Sequence, residues 1–348
     1  MNLSPTFSIG DFEIGGDKTF VIAEIGSNHN QSLDLAKESI EAASKAGADA
    51  VKFQSIDLDA LYHQPSESTQ ELHRRIDLEE SWHGELAVEA RQNDVQFFST
   101  PTYLRSIDIL ESLDVRMYKL ASAQIGTFPQ LVRKVAEQNK PTILSTGLAT
   151  LGTLEEMVKI FLEAKNFQIA ILHCNSIYPT PPHRVFLDHM IRYGQLFGCP
   201  VGFSDHTTGM AVAIAAVAKG AKVIEKHFTL DRSLPVPDAS FSLDPLAFTE
   251  MVQGIREAED CCRRQAPLRI ALEPEEQNFQ TQIRTRVFAA RALPQGHRLV
   301  HEDLMFRRYT EGLDARQMFD FMKGSVHLER SVDSGALLNA ADLRLEAE

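Results

Sequence analysis

Two stretches in the second half of the chain end alike. Val201-Gly202-Phe203-Ser204-Asp205-His206 and Val223-Ile224-Glu225-Lys226-His227 are apolar runs that turn polar and finish in histidine, His227 standing 21 positions after His206. One histidine in such a place is usually structural. Two on neighbouring runs suit a shared divalent transition metal, because imidazole ligates such ions well and two protein ligands leave positions open for water or substrate. His29 and His173 stand in weaker contexts and take no assignment. A second chemistry comes from Lys52 in AVKFQ and Lys119 in MYKLAS. A buried ammonium is costly unless paired. A salt bridge to Glu24 or Glu225 accounts for either lysine alone. The two together, with the hydroxyls of Thr100, Ser122, Ser145 and Ser204, make a phosphate cradle.

These residues need elements to bring them together. From Thr19 to about Asp260 a short apolar run, a polar turn and a helical pattern recur. The runs are FVIAE (20–24), AVKFQ (50–54), VQFFS (95–99), MYKLAS (117–122), TILS (142–145), IAILH (169–173), VGFS (201–204) and VIEKH (223–227). Helical stretches between them include Leu33–Ala46, opened by the cap-type Ser32 and closed by Gly47. Apolar strands alternating with helices indicate a parallel sheet covered on both faces. Eight units over about 240 residues match a (β/α)8 TIM barrel. A doubly wound sheet would show a glycine-rich loop after its first strand, where this chain has EIGSNHN. In a barrel the active site gathers at the C-terminal strand ends. Strand residues i and i+2 share a face, so Lys52 with Gln54, Ser204 with His206, and Glu225 with His227 aim into one pocket.

Flanking segments read differently. FSIGDFEIGGDKTF before the first run reads as a hairpin turning at Gly15-Gly16-Asp17, placed to plug the barrel. Residues 261–283 are polar, with Pro267 and Pro274, and read as a linker between a barrel-sized domain (1–260) and a small β-rich module (284–348). That module repeats itself: GHRLVHEDL (296–304) and GALLNAADL (335–343) both follow G-x-x-L-x-x-x-D-L.

Composition narrows the class. The net charge of −13 argues against a general nucleic-acid binder. The longest apolar run, Met210 to Ala218, is far short of the ~20 residues of a membrane span. No signal-peptide pattern opens the chain. Cys174, Cys199, Cys261 and Cys262 fit neither a zinc cluster nor a disulfide framework, so a reduced, cytoplasmic protein is expected.

AEIGSNHNQS, KAGADAVKFQ, FFSTP, YKLAS, ILSTG, LHCNSIYPTP, GFSDHTTG and EKHFTLD, in this order, resemble the sialic acid (N-acetylneuraminate) synthase family, and the C-terminal repeat resembles its SAF (antifreeze-like) domain. The resemblance implies a transferase (EC 2.5.1.-) that condenses phosphoenolpyruvate (PEP) with an N-acetylmannosamine-type aldose, giving a nonulosonic acid and inorganic phosphate. It implies a divalent metal, Mn²⁺ with Mg²⁺ or Co²⁺ as alternatives, on His206 and His227. Lys52, Thr100, Lys119, Ser122, Ser145, Ser176 and Ser204 would surround PEP. Gln54, Gln124, Tyr178 and Asp238 would face the sugar, although Asp238 by its context alone is an ordinary turn aspartate. Arg308, with Arg307 beside it in the register, would reach the partner's site in a domain-swapped homodimer.

Two positions depart from the family pattern. Gln124 stands where an acidic residue is usual, and Ser176, beside Asn175, stands where the family has asparagine. The first leaves the acceptor open to a legionaminic- or pseudaminic-type precursor or to a surface-polysaccharide sugar. In the implied reaction the metal polarises the aldehyde, C3 of PEP attacks it, and Glu24 is the expected acid/base. A Schiff-base pyruvate aldolase is the rival enzyme, although the sixth run, IAILH, lacks the lysine such barrels carry there. A carbohydrate- or ice-binding module on an inert barrel is the non-enzyme alternative. It is disfavoured by the desolvation cost of so many polar strand ends.

Overall fold

The computed structural model describes residues 3–262 and 271–346. The chain divides into two compact units, Met1–Gln265 and Ala266–Glu348.

The first unit opens with an antiparallel hairpin, β1 (Phe7–Ile9) and β2 (Phe12–Ile14). Its turn is not at Gly15-Gly16-Asp17. Ile9 pairs with Phe12, so Gly10-Asp11 makes the turn, and Gly10 has φ +59°, which a side chain would resist. The alternation of Phe7, Ile9, Phe12 and Ile14 fixes that register.

Eight parallel strands follow: β3 (Phe20–Gly26), β4 (Ala50–Ser55), β5 (Gln96–Pro101), β6 (Tyr118–Leu120), β7 (Thr142–Ser145), β8 (Ile169–Cys174), β9 (Val201–Asp205) and β10 (Val223–His227). Their hydrogen-bonded order is β5-β4-β3-β10-β9-β8-β7-β6, and β5 and β6 lie side by side. This is the nearly closed (β/α)8 barrel. Phe20, Ile22, Ala50, Phe98, Ile143, Ala170, Leu172 and Val223 pack inside it with Phe7, Ile9 and Ile14, so the hairpin is built into the same interior core. Outward residues such as Val21, Val51, Phe53, Phe203 and Ile224 meet the helices.

The helix over Leu33–Lys45 is capped by the Ser32 hydroxyl, as its sequence indicates. The helix over Leu104–Ser112 buries Ile107 and Leu110 on its inner face. The helix Pro245–Cys262 crosses the expected end of the first domain at 260. Within the stretch read as a linker, Pro274–Gln282 is a helix, with proline at its first turn and a capping box closed by Glu273 and Glu276. Pro267 lies outside the described residues.

The second unit holds two antiparallel pairs, β11 (Thr285–Ala289) with β12 (Leu304–Arg308), and β13 (Ser325–Leu328) with β14 (Leu343–Glu346). The sequence repeat is structural. In one copy Arg291 reaches buried Asp303 at 2.7 Å, and in the other Arg330 reaches Asp342 at 2.6 Å, both pairs 12 residues apart. Each aspartate also accepts the N–H at the start of its short 3-10 turn, from Val300 and Asn339. The repeat leucines Leu299, Leu304 and Leu338 are buried in the unit's core, and Leu343 packs against it.

Candidate active site

Alternation along the strands delivers polar side chains to one cavity at their C-terminal ends. Its volume is about 500 Å³, and its lining includes Glu24, Lys52, Gln54, Lys119, Ser122, Ser145, Tyr178, Ser204, His206, Glu225, His227 and Asp238.

Four charges lie on its floor. Lys52 Nζ is 2.7 Å from Glu24 and 3.8 Å from Glu225, and Lys119 Nζ is 3.4 Å from Glu225. No side chain in this set is more than 5% exposed. The lysines are therefore paired and also line the cavity. Thr100 accepts from Lys52 at 3.2 Å and Ser145 from Lys119 at 2.8 Å, while Ser204 donates to Glu225 at 2.9 Å. Gln54 donates to Glu24 at 2.6 Å.

The two glutamates divide the work. Burial would raise Glu225, but Lys119 and Lys52 pull it down and hold it ionised. Glu24 is pushed up to about 7, by burial first and then by the Glu225 charge, against the pull of Lys52. Burial likewise lowers Lys119, while the two glutamates hold Lys52 above the ordinary lysine value despite burial.

Beside Lys119 is a cluster of small donors. The Gly147 N–H donates to Ser122 Oγ at 2.9 Å. A Cβ on Gly147 would stand 2.4 Å from Ser176 Oγ and 2.7 Å from Ser122 Oγ, so the glycine leaves room for both hydroxyls. Ser176 Oγ is buried without a partner. Ser122 also contacts Cys174 Sγ at 3.6 Å.

The two histidines meet with ring centroids 5.3 Å apart. His206 Nδ1 donates to the Asn175 carbonyl at 2.8 Å, so in the neutral ring Nε2 carries the lone pair; burial would lower this histidine, but Cys174, that carbonyl and Glu225 together raise it. His227 is kept neutral by burial and then by His206 and the nearby lysines, and its Nδ1 has no hydrogen-bond partner. Asp238 Oδ2 is 3.5 Å from that atom, without hydrogen-bond geometry. Two adjacent imidazoles, each able to offer a ring nitrogen to the same space, fit a divalent cation. Among the described residues no group of three or more His, Cys, Asp or Glu forms a metal cage, so the fit is to an open site completed by water or substrate. Tyr178 covers His206, ring centroid to ring centroid 4.2 Å, and Phe241 flanks His227.

Some residues singled out in the sequence stand off the cavity wall. Thr100 lies behind Lys52. Gln124 is buried, its Oε1 unpartnered, and does not line the cavity. Arg308 lies exposed on β12 of the second unit, beside Arg307. Sequence reasoning gave no role to Cys174 or to Pro237, Ser240 and Phe241, which also line the cavity. It also passed over Asp205 and Lys226, although an ammonium and a carboxylate in two apolar strands signal a buried pair.

Among the described residues no helix is long and apolar enough to cross a membrane. The chain is 36% identical over 320 residues to the N,N'-diacetyllegionaminic acid synthase of Campylobacter jejuni, covering 88% of this chain and 95% of that one. The crystal structure of N-acetylneuraminic acid synthetase from Leptospira borgpetersenii superposes with a TM-score of 0.74 at 29% identity, covering 80% of this chain and 97% of that one. The spore coat polysaccharide biosynthesis protein SpsE of Bacillus subtilis superposes with a TM-score of 0.68 at 32% identity, covering 98% and 100%. The NeuB family model matches residues 39–266, which include every cavity-lining residue named above except Glu24. With that match over more than half of its length, the chain belongs to the NeuB family.

Proposed function

We propose that this chain condenses PEP with an N-acetylmannosamine-type aldose to give a nonulosonic acid and inorganic phosphate, and that the strand-end cavity is its active site. The observation that carries the reading is the pair of buried lysines, paired with two glutamates, in the same cavity as two adjacent histidines. An incoming phosphate and carboxylate would take over part of the lysines' pairing. The hydroxyls of Ser122, Ser145, Ser176 and Ser204 would orient them, with Ser122 itself held by the Gly147 N–H.

His206 and His227 would hold a divalent cation, Mn²⁺ in this reading, and that ion would supply Lewis acidity toward the aldehyde. C3 of PEP bonds to the aldehyde carbon, and water adds to C2. The hemiketal phosphate then collapses, breaking the C2–O bond so that the bridging oxygen leaves with phosphate. Of the two protons the added water gives up, one reaches the aldehyde oxygen and the other leaves with phosphate. Glu24, poised near neutrality, is the group suited to carry a proton between them. Gln54, Tyr178 and Asp238 stand where a sugar would lie. Gln124, just off the wall, would tune the choice among N-acetylmannosamine, legionaminic- or pseudaminic-type precursors and other sugars.

We further propose a cytoplasmic, domain-swapped homodimer in which the second unit is a SAF domain and Arg308 enters the partner's cavity. PEP labelled with ¹⁸O at the bridging position tests the reaction. Label recovered in phosphate supports it, and label retained in the organic product contradicts it. The lowered basicity of Lys119 is what a Schiff-base aldolase would need. Borohydride trapping of a pyruvate adduct on that lysine would favour the aldolase instead.

A further inference from the structure

Behind the cavity wall lies an ion pair that touches no substrate space. Asp205 ends β9, Lys226 sits one residue from the end of β10, and they are direct neighbours in the parallel ladder. Their charged atoms are 2.9 Å apart, and both side chains are 0% exposed. Ser204 and His206 flank Asp205, and Glu225 and His227 flank Lys226. Alternation therefore turns the pair away from the cavity that their neighbours line. The layer there is apolar, with Phe203, Ile224, Phe228 and Ala213 in its core.

Stability alone does not explain an ion pair in that layer. Two charges removed from water seldom do better than apolar side chains of equal size. Their other contacts converge on a single residue. Asp205 Oδ1 accepts the Thr207 N–H at 2.8 Å, and Lys226 Nζ donates to the Thr207 carbonyl. The Thr207 N–H belongs to the peptide whose oxygen is the His206 carbonyl. That oxygen accepts from Thr180 N–H at 2.9 Å. The peptide following His206 is thus held at both polar atoms. With the backbone fixed, the ring can keep its Nδ1 on the Asn175 carbonyl. Lys226 ties the same point to the strand that carries His227.

We propose that the Asp205–Lys226 pair is a positioning device that clamps Thr207 and thereby sets the ring and tautomer of His206 relative to His227. The link to metal affinity rests on the cation site of the proposed function. The link to tautomer does not.

The test replaces the pair with apolar residues, Asp205→Leu with Lys226→Met, which keeps the layer filled without stranding a charge. Two readouts are taken on metal-free protein: histidine ¹⁵N NMR for the His206 tautomer, and Mn²⁺ titration. The clamp predicts loss of the single Nδ1–H form of His206 in a folded protein and Mn²⁺ binding weakened at least about tenfold, the usual effect of removing a ligand's support. A parent-like tautomer with unchanged Mn²⁺ affinity would overturn it. If the double variant does not fold, Lys226→Arg replaces it. That variant keeps the charge but moves the donor, and the same two readouts decide. If parent protein shows no Mn²⁺ binding that His206→Ala removes, the cation reading fails, and the tautomer signal still decides the clamp.

Discussion

Lys52 Nζ lies 2.7 Å from Glu24 Oε2, with the lysine 2% and the glutamate 1% exposed. The pair joins β3 to β4 at the point where the cavity opens. It is also where the chain keeps a carboxyl that titrates near neutrality.

Glu24 has a folded-state value of about 7 against an ordinary 4.5. The folded protein therefore binds more protons than the unfolded chain between those values. Its stability contribution is fully present at the low end of that window and declines as pH rises through it. Chemical denaturation of parent and Glu24→Gln from pH 5 to 8 checks this. The parent should lose stability relative to the variant as pH rises, and parallel curves would refute the assignment.

Lys119 donates to Ser145 and faces Glu225. Lys119→Met removes a charge-assisted contact to bound anion, worth about 10- to 100-fold in affinity. KM for PEP should rise by that factor, with a smaller change in KM for the sugar. Steady-state kinetics with each substrate varied in turn would measure it.

Gly147→Ala should act on the same substrate by another route. The new methyl would press on Ser122 and Ser176, displacing two hydroxyls from the anion cradle. The expected result is weaker PEP binding, by roughly tenfold for the loss of one well-made hydrogen bond, with a melting temperature close to the parent's. An unchanged KM for PEP would show that the hydroxyls lie outside the binding path.

Asp303 and Asp342 are the twin anchors of the second unit. Burial would raise both, but His297, the Val300 N–H and Arg291 hold the first below the usual 3.8, and Arg330 with the Asn339 N–H does the same for the second. Their contribution is present above the ordinary carboxylate value and is lost as pH falls through their depressed values. Asp303→Asn should cost about 1–3 kcal/mol near neutral pH. Hydrogen exchange in β11 and β12 would report it. The difference from parent should shrink below about pH 3.8.

Much of this was legible in the sequence, for a physical reason. Barrel strands are buried on both faces, so a lysine or histidine inside one stands out, and period-2 alternation assigns its direction. Lys52, Lys119, His206 and His227 were found that way. Lys226 and Asp205 could have been found by the same rule, since alternation puts them on the opposite face, where each needs the other. The hairpin turn was misplaced because Gly10-Asp11 and Gly15-Gly16-Asp17 both offer a turn, and only strand register shows which closes the ladder. Cys174 follows Ala170 and Leu172 on the inward side of β8 and could have been found by alternation too, whereas Pro237 and Phe241 reach the cavity through a loop path that no local pattern encodes. Gln124 looked like a wall residue from its place after KLAS, yet the turn beyond β6 buries it behind Ala121 and Ser122.

The most direct test of the account is phosphate release from PEP, with and without Mn²⁺, across a panel of acceptor aldoses, with His206→Ala as control. The account expects metal-dependent release with one class of acetamido sugar and its loss in the variant. Release that ignores both metal and His206, or no release with any aldose while PEP binds, would contradict it.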